Sequence, residues 1–172
     1  MTAAWIIRPS EPDDYPGIVD VRIRGWRATY SHVMPAGFLD RMEALRDREI
    51  DGRRARRGET AFVEYVGTID DRIVGWAISG DPTDPDAPAG RELYSLYTNA
   101  ATHGSGLATA LLDAVLGDAS ASLWVLEDNP RARAFYEKSR FTFDGTRKML
   151  DGELAHIPEI RMVRPETIQP RR

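Results

Sequence analysis

From Leu93 through Leu112 the chain carries no aspartate or glutamate, although 27 acidic residues in 172 would place about three in a stretch of that length. The stretch joins a strand signal, Leu93–Thr98, to a helix whose Leu107, Leu111 and Val115 recur at helical spacing. Between them lie Asn99, Ala100, Ala101, Thr102, His103, Gly104, Ser105 and Gly106, all small or polar. Gly104 and Gly106 let the backbone turn tightly, so that several N–H groups converge just before the helix begins. Free N–H groups at a helix start, together with the helix dipole, form an anion site. A pyrophosphate placed there would be repelled by neighbouring carboxylates, which the stretch lacks. A glycine-rich connection without a ligand shares the same spacing. Two familiar phosphate loops do not fit. The Walker pattern needs a lysine where Leu107 stands, and the dinucleotide fingerprint needs a third glycine where Thr109 stands.

The rest of the chain alternates strand and helix signals around this unit. Trp5–Arg8 reads as a strand, and the acidic and proline residues at 13–16 open a helix striped by Val19, Ile23, Trp26 and Tyr30. Pro35 is expected to open a second helix that buries Phe38, Met42 and Leu45 and runs through Arg53, Arg54, Arg56 and Arg57 to Gly58. Residues 61–66 and 73–79 form a hairpin pattern, and 81–90, with three prolines and three aspartates, reads as an exposed loop. Ser122–Leu126 is a strand, and Asn129-Pro130 supplies an N-cap and first residue for a helix to about Ser139. Strands at 141–149 and 157–163 flank a turn at Asp151-Gly152. The order β-α-α-β-β-β-α-β-α-β-β predicts an α/β (α+β) fold, a mixed central sheet of about seven strands with helices on both faces. Residues 1–164 read as one domain and 165–172 as a loose tail.

Composition narrows the chemistry. With no cysteine there is no disulfide, no thiolate metal ligand and no cysteine nucleophile. The three histidines, His32, His103 and His156, are far apart in sequence, and no metal site is expected. A net charge of −4 gives no general attraction to nucleic acid or anionic membrane. The arginines at 53–57 follow Asp40, Glu43, Asp47, Glu49 and Asp51, which reads as a solvated, salt-bridged helix face. No apolar run approaches the roughly 20 residues of a membrane span, and no export signal is visible. A cytoplasmic protein, monomeric or homodimeric, is expected.

Glu92 through Thr98, then His103-Gly-Ser-Gly-Leu-Ala108 and the helix after it, resemble motif A of the GNAT superfamily of N-acetyltransferases. Gly106 and Ala108 match the last two fixed places of that motif, and His103 stands where arginine or glutamine is usual. Residues 123–141, with Asn129, Phe135-Tyr136-Glu137 and Phe141, are similar to motif B, except that Arg140 replaces its usual glycine. The resemblance extends to the element order, and the run Gly25 to Tyr30 is similar to a bacterial subset whose acceptors are mostly unassigned.

The resemblance implies acetyl transfer from acetyl-CoA to a primary amine (a small molecule, a polyamine or a peptide N-terminus), directly in a ternary complex. It implies that Leu96, Tyr97 and Thr98 hold the pantetheine arm in a gap between the fourth and fifth strands. His103, Gly104, Ser105, Gly106, Leu107, Ala108 and Thr109 would cradle the pyrophosphate, and Asn129 would contact the CoA arm. Tyr136, at the motif B tyrosine place, would protonate the leaving thiolate, and the N–H of Leu96 would stabilise the oxyanion. For the base, Glu92 stands where histone-acetylating members carry a glutamate; a path through water and backbone carbonyls is the alternative. Strand alternation puts Glu92, Tyr94, Leu96 and Thr98 on one face. Trp26 and Tyr30 would wall the acceptor site, or serve only as core residues of their helix. A non-catalytic acyl-CoA-binding or regulatory module of the same fold is the alternative function.

Overall fold

The strand signals condense into one seven-stranded sheet of order β1-β2-β3-β4-β5-β7-β6. The computed structural model describes residues 4–35, 37–56, 58 and 61–166. Its strands are β1 Ile6–Pro9, β2 Val63–Ile69, β3 Arg72–Gly80, β4 Arg91–Thr98, β5 Ala121–Leu126, β6 Thr142–Met149 and β7 Pro158–Arg164. The helices are α1 Tyr15–Tyr30, α2 Phe38–Ala44, α3 Arg46–Ala55, α4 Leu107–Leu116 and α5 Pro130–Lys138. All neighbouring strands pair antiparallel except β4 and β5, which run parallel. The expected mixed sheet with helices on both faces is therefore found. Residues 167–172, most of the expected tail, lie outside the described residues, as does Arg57.

One face of the sheet carries α4. Its Leu107, Leu111, Leu112 and Val115 pack with Ala77, Leu93, Leu123, Val125, Phe141 and Met162 in the largest core cluster, which also takes in Tyr136 of α5. The other face carries α1, whose Ile18, Val19 and Ile23 pack on Val66 and Trp76. A third cluster joins Met34, Leu126, Leu154 and Ile157 to Trp26, Tyr30 and Phe38.

The expected second helix is two helices. At Leu45 the backbone leaves helical geometry (φ −94°, ψ 7°), and α3 starts at the next residue. The break lets α2 turn Phe38 into the third cluster while α3 turns Ile50 into the second. A single straight helix would serve only one of them. Leu45, expected in the core, is half exposed at the bend. The arginine face is salt-bridged as expected, through Arg54 to Asp51 and Arg53 to Glu49 and Glu64. Arg53 is not solvated, however. Its guanidinium lies over the Trp76 ring, 4.7 Å from the centroid, and its side chain is 14% exposed.

Close docking of α4 depends on two glycines of the β2–β3 hairpin. A Cβ on Gly67 would lie 2.5 Å from Leu107 Cδ1, and one on Gly75 would lie 2.8 Å from Leu111 Cδ1 and 3.0 Å from Leu107 Cδ2. Both leucines are fully buried and have no free side on which to give way. Gly75→Ala should therefore destabilise the fold by about 1–3 kcal/mol. It should appear as a lower urea midpoint with an unchanged denaturant slope.

Candidate active site

Parallel strands β4 and β5 stay paired for only three positions, Arg91–Leu93 against Ala121–Leu123. Beyond Leu93 they part. The remainder of β4 and the end of β5 become two walls of a cleft of about 1260 Å³, closed by α1, the glycine loop and α5. Asn99 N–H reaches back to Val74 O on β3 at 2.8 Å. Successive N–H groups of a strand alternate in direction, so those of Thr98 and Leu96 are directed away from β3, into the gap.

Twelve of the residues expected at the site line this one cleft: Trp26, Tyr30, Leu96, Tyr97, Thr98, His103, Gly104, Gly106, Ala108, Thr109, Asn129 and Tyr136. Ser105, Leu107 and Glu92 do not line it. Leu107 is core, wedged against Gly67 and Gly75, and its N–H faces Ser105 Oγ at 3.4 Å. The Ser105 carbonyl accepts from the Trp5 indole at 3.3 Å, which ties the loop to the start of the chain.

Gly104 and Gly106 hold φ of +79° and +88°, the left-handed conformation that glycine adopts without strain. Gly106 is the N-cap of α4. The first-turn N–H groups of Ala108 and Thr109 therefore have no intrahelical acceptor and point out of the helix end. Burial pushes the His103 imidazole below its usual pKa, and the Arg131 guanidinium pushes it the same way. The permanent positive charge of the cleft comes instead from Arg24, Arg131 and Lys138, which line it. Sequence reasoning did not single these out, because exposed arginines are abundant in this chain.

The face expected for Glu92 needs correction. The β3–β4 register steps from Ile78↔Ser95 to Ser79↔Leu93, leaving Tyr94 without a partner on β3. Such a bulge inserts one residue and reverses the alternation beyond it. Leu93 and Leu96 consequently both face α4. Glu92 faces the opposite side, in register with Ser122 of β5 and Gly80 of β3. It does not share a face with Leu96 and Thr98. Its carboxylate accepts from Thr83 N at 2.7 Å and Thr83 Oγ1 at 2.8 Å.

The aromatic residues serve two purposes at once. Trp26, Tyr30 and Tyr136 pack in the core clusters and also line the cleft. Tyr136 meets Phe135 and Phe141 edge-on at 5.2 and 5.8 Å. Burial, with Tyr30 nearby, raises its phenol pKa well above the usual value, and burial does the same for Tyr97. Asn129 Oδ1 caps α5 by accepting from Ala132 N at 3.0 Å, while Nδ2 donates to the Tyr30 hydroxyl at 3.1 Å. Each end of that amide thus has a partner within the protein. His32 lies outside the cleft, exposed beside Asp128.

One lining residue had no warning in the sequence. Glu159 of β7 is the only acidic residue among the described residues that line the cleft. In the pattern Glu159, Ile160, Arg161, Met162 it reads as the solvent side of an alternating strand. The third cluster, with α1 and α2, covers that side.

A family model described as the acetyltransferase (GNAT) family matches residues 24–141. The chain belongs to this family. The fold and the acetyl-CoA-dependent acyltransferase activity expected from the sequence stand with it. A probable N-acetyltransferase of Mycobacterium tuberculosis is 26% identical over 163 residues, 90% of each chain. An uncharacterized N-acetyltransferase of the same organism is 41% identical over 86 residues, 45% of this chain and 51% of its own length. Among solved structures, the PaiA N-acetyltransferase of Thermoplasma acidophilum, in complex with coenzyme A, superposes with a TM-score of 0.70 at 16% identity, covering 94% of this chain and 99% of its own.

The departure from the GNAT pattern at Arg140 leaves the helix exit intact. Arg140 takes φ +68°, the conformation for which glycine is suited. Around it Arg140 N–H bonds Glu137 O and Phe141 N–H bonds Tyr136 O at 2.9 Å. Together with the Phe141–Tyr136 contact this is a Schellman ending, and it fixes the tyrosine at the cleft. A non-glycine residue pays for the left-handed conformation with strain. Arg140→Gly is therefore expected to stabilise the protein by about 0.5–1 kcal/mol, measured as a higher Tm.

Proposed function

We propose that the protein transfers the acetyl group of acetyl-CoA to a primary amine by direct attack in a ternary complex. The observation that carries this reading is the parted β4–β5 pair. It leaves a strand edge free beside a carboxylate-free helix N-terminus, with a buried tyrosine at the gap.

The cleft has the shape and polarity for an extended pantetheine arm. The arm would pair with the free edge of β4 through Leu96 and Thr98, whose N–H groups are directed into the gap. The pyrophosphate would lie against the N–H groups of Gly104, Gly106, Ala108 and Thr109, with Arg131 and Lys138 adding permanent positive charge beside His103, whose pKa burial lowers. Of the two β4 donors, the Thr98 N–H would bond the pantetheine arm, leaving the Leu96 N–H to stabilise the oxyanion as the thioester carbonyl becomes tetrahedral.

Tyr136 would give its proton to the departing thiolate. The phenol carries its proton throughout the physiological range, as a donor to a thiolate must. On the α1 side, Asp84 and Glu159 share the Lys148 ammonium at 3.6 and 3.5 Å, and the Glu92 carboxylate adds negative charge near Glu159. That surplus of negative charge favours an acceptor that arrives as a cation, as an amine does near neutral pH.

Calorimetric titration with acetyl-CoA, followed by an acceptor screen that detects free CoA thiol, tests the reading. Gly106→Asp places a carboxylate at the anion site and should abolish acetyl-CoA binding, while thermal unfolding verifies that the fold persists. Equal affinity in that variant would remove the ligand assignment. Tyr136→Phe removes only the hydroxyl. It should keep acetyl-CoA affinity and lower kcat about 10²–10⁴-fold, with a defect that alkaline pH does not repair. Binding without CoA release for any amine would favour the non-catalytic module.

A further inference from the structure

Glu159 lines the cleft, and beyond attracting a cationic acceptor its carboxylate has no chemical step. Its position follows from register. On β7 it lies opposite Leu126 of β5 and Lys148 of β6, so the three side chains share one face. That face also carries Trp124, with the Lys148 ammonium 3.8 Å from its ring centroid, and Leu126, which packs with Tyr30 of α1. Tyr136 comes to the gap from the other side of the sheet, out of the cluster that holds α4. Tyr30, packed against Leu126, lines the gap together with Glu159 and Tyr136. A thioester lying in the gap would thus have a carboxylate on one side and a phenol on the other.

Three carboxylates gather on the Glu159 side, and two are already engaged. Asp84 accepts from Trp124 Nε1 at 2.6 Å and faces Lys148 at 3.6 Å. Glu92 is held by Thr83. Among the described residues Glu159 pairs only with the Lys148 ammonium, at 3.5 Å, its side chain is 13% exposed, and it alone of the three borders the cleft.

We infer that Glu159 is the general base of the reaction, taking the proton of the acceptor ammonium on the α1 side of the sheet, opposite Tyr136. The inference rests on the amine-acetylating reading above and assigns a residue within it. The proton of R–NH3+ passes to Glu159, and the freed lone pair forms the C–N bond to the thioester carbonyl. As the tetrahedral adduct collapses, the C–S bond breaks and sulfur takes the Tyr136 proton. The second proton lost from nitrogen restores the tyrosine through solvent, and Glu159 returns its own to solvent. The products are the amide and CoA thiol, with one proton released. Burial raises the Glu159 pKa, Asp84 and Glu92 act in the same direction, and Lys148 opposes them. A base raised in this way is a stronger proton acceptor while remaining ionised at higher pH.

The full-length protein and its Glu159→Gln, Glu159→Asp and Glu92→Gln variants should be assayed for CoA release from pH 6 to 9.5. Suitable acceptors are glycinamide, butylamine, spermidine and a peptide with a free N-terminal alanine, with acetyl-CoA affinity measured in parallel. Glu159→Gln should retain that affinity, lose about 100-fold or more in kcat at pH 7, and recover toward wild type as pH approaches the amine's own pKa. Glu159→Asp should restore part of the loss, and Glu92→Gln should cost less than Glu159→Gln at pH 7. An active wild type with an unimpaired Glu159→Gln variant, or a defect equal at every pH, overturns this inference alone. The same pH-dependent defect in Glu92→Gln instead assigns the base to Glu92 and also overturns it. A wild type that binds acetyl-CoA but acetylates none of the amines overturns both the inference and the reading beneath it.

Discussion

Parallel pairing of β4 with β5 ends after Leu93 and Leu123, and the working part of the molecule follows from that ending. Backbone N–H and C=O groups of a strand are obligatory hydrogen-bonding groups, and leaving a run of them without a neighbouring strand is costly in a dry interior. Here they open onto a cleft where water or an extended ligand can satisfy them. The bulge at Tyr94 lies within the parting segment and changes which side chains each face receives. Leu93 and Leu96 both turn to α4, and Glu92 turns to α1. One inserted residue therefore separates an apolar wall from an acidic one.

The glycines impose complementary constraints. Gly67 and Gly75 remove the side chains that would hold α4 away from the sheet, so its first turn sits close against β2 and β3. Gly104 and Gly106 bend the loop so that the same turn presents its N–H groups to the cleft. Core packing at one side of Leu107 and a helix N-terminus open to the cleft at the other are thus consequences of one helix position. The Schellman ending at Arg140 does for α5 what Gly106 does for α4, fixing Tyr136 against Phe141 while it borders the gap.

Asking whether Tyr136, Trp26 and Tyr30 are core residues or site residues sets up a false choice. Each packs in a cluster and lines the cleft, because the walls of a cleft cut into a thin sheet are the outer layer of the core. The double use explains why periodicity found them without revealing their roles. Asn129 is similar: its amide caps α5 and donates to the Tyr30 hydroxyl, and the residue also lines the cleft.

Local signals in the chain were sufficient for the element order apart from the division of the second helix, for α4 from Leu107 to Leu116, for the Asn129 cap and for the glycine loop before α4. Each depends on residues within a turn or two of one another, where glycine conformations, caps and helical spacing act directly. Other features arise between distant segments. The break at Leu45 serves two core clusters that sequence spacing does not distinguish. The Tyr94 bulge exists only relative to β3, since alternation along β4 by itself continues unbroken. Arg131, Lys138 and Glu159 look like ordinary charged surface residues until α5 and β7 bring them to the cleft. The sequence by itself determined the local elements, the phosphate-type loop and the family resemblance. Tertiary structure decided which face each charge occupies, because a strand's two faces are equivalent until helices and neighbouring strands cover them.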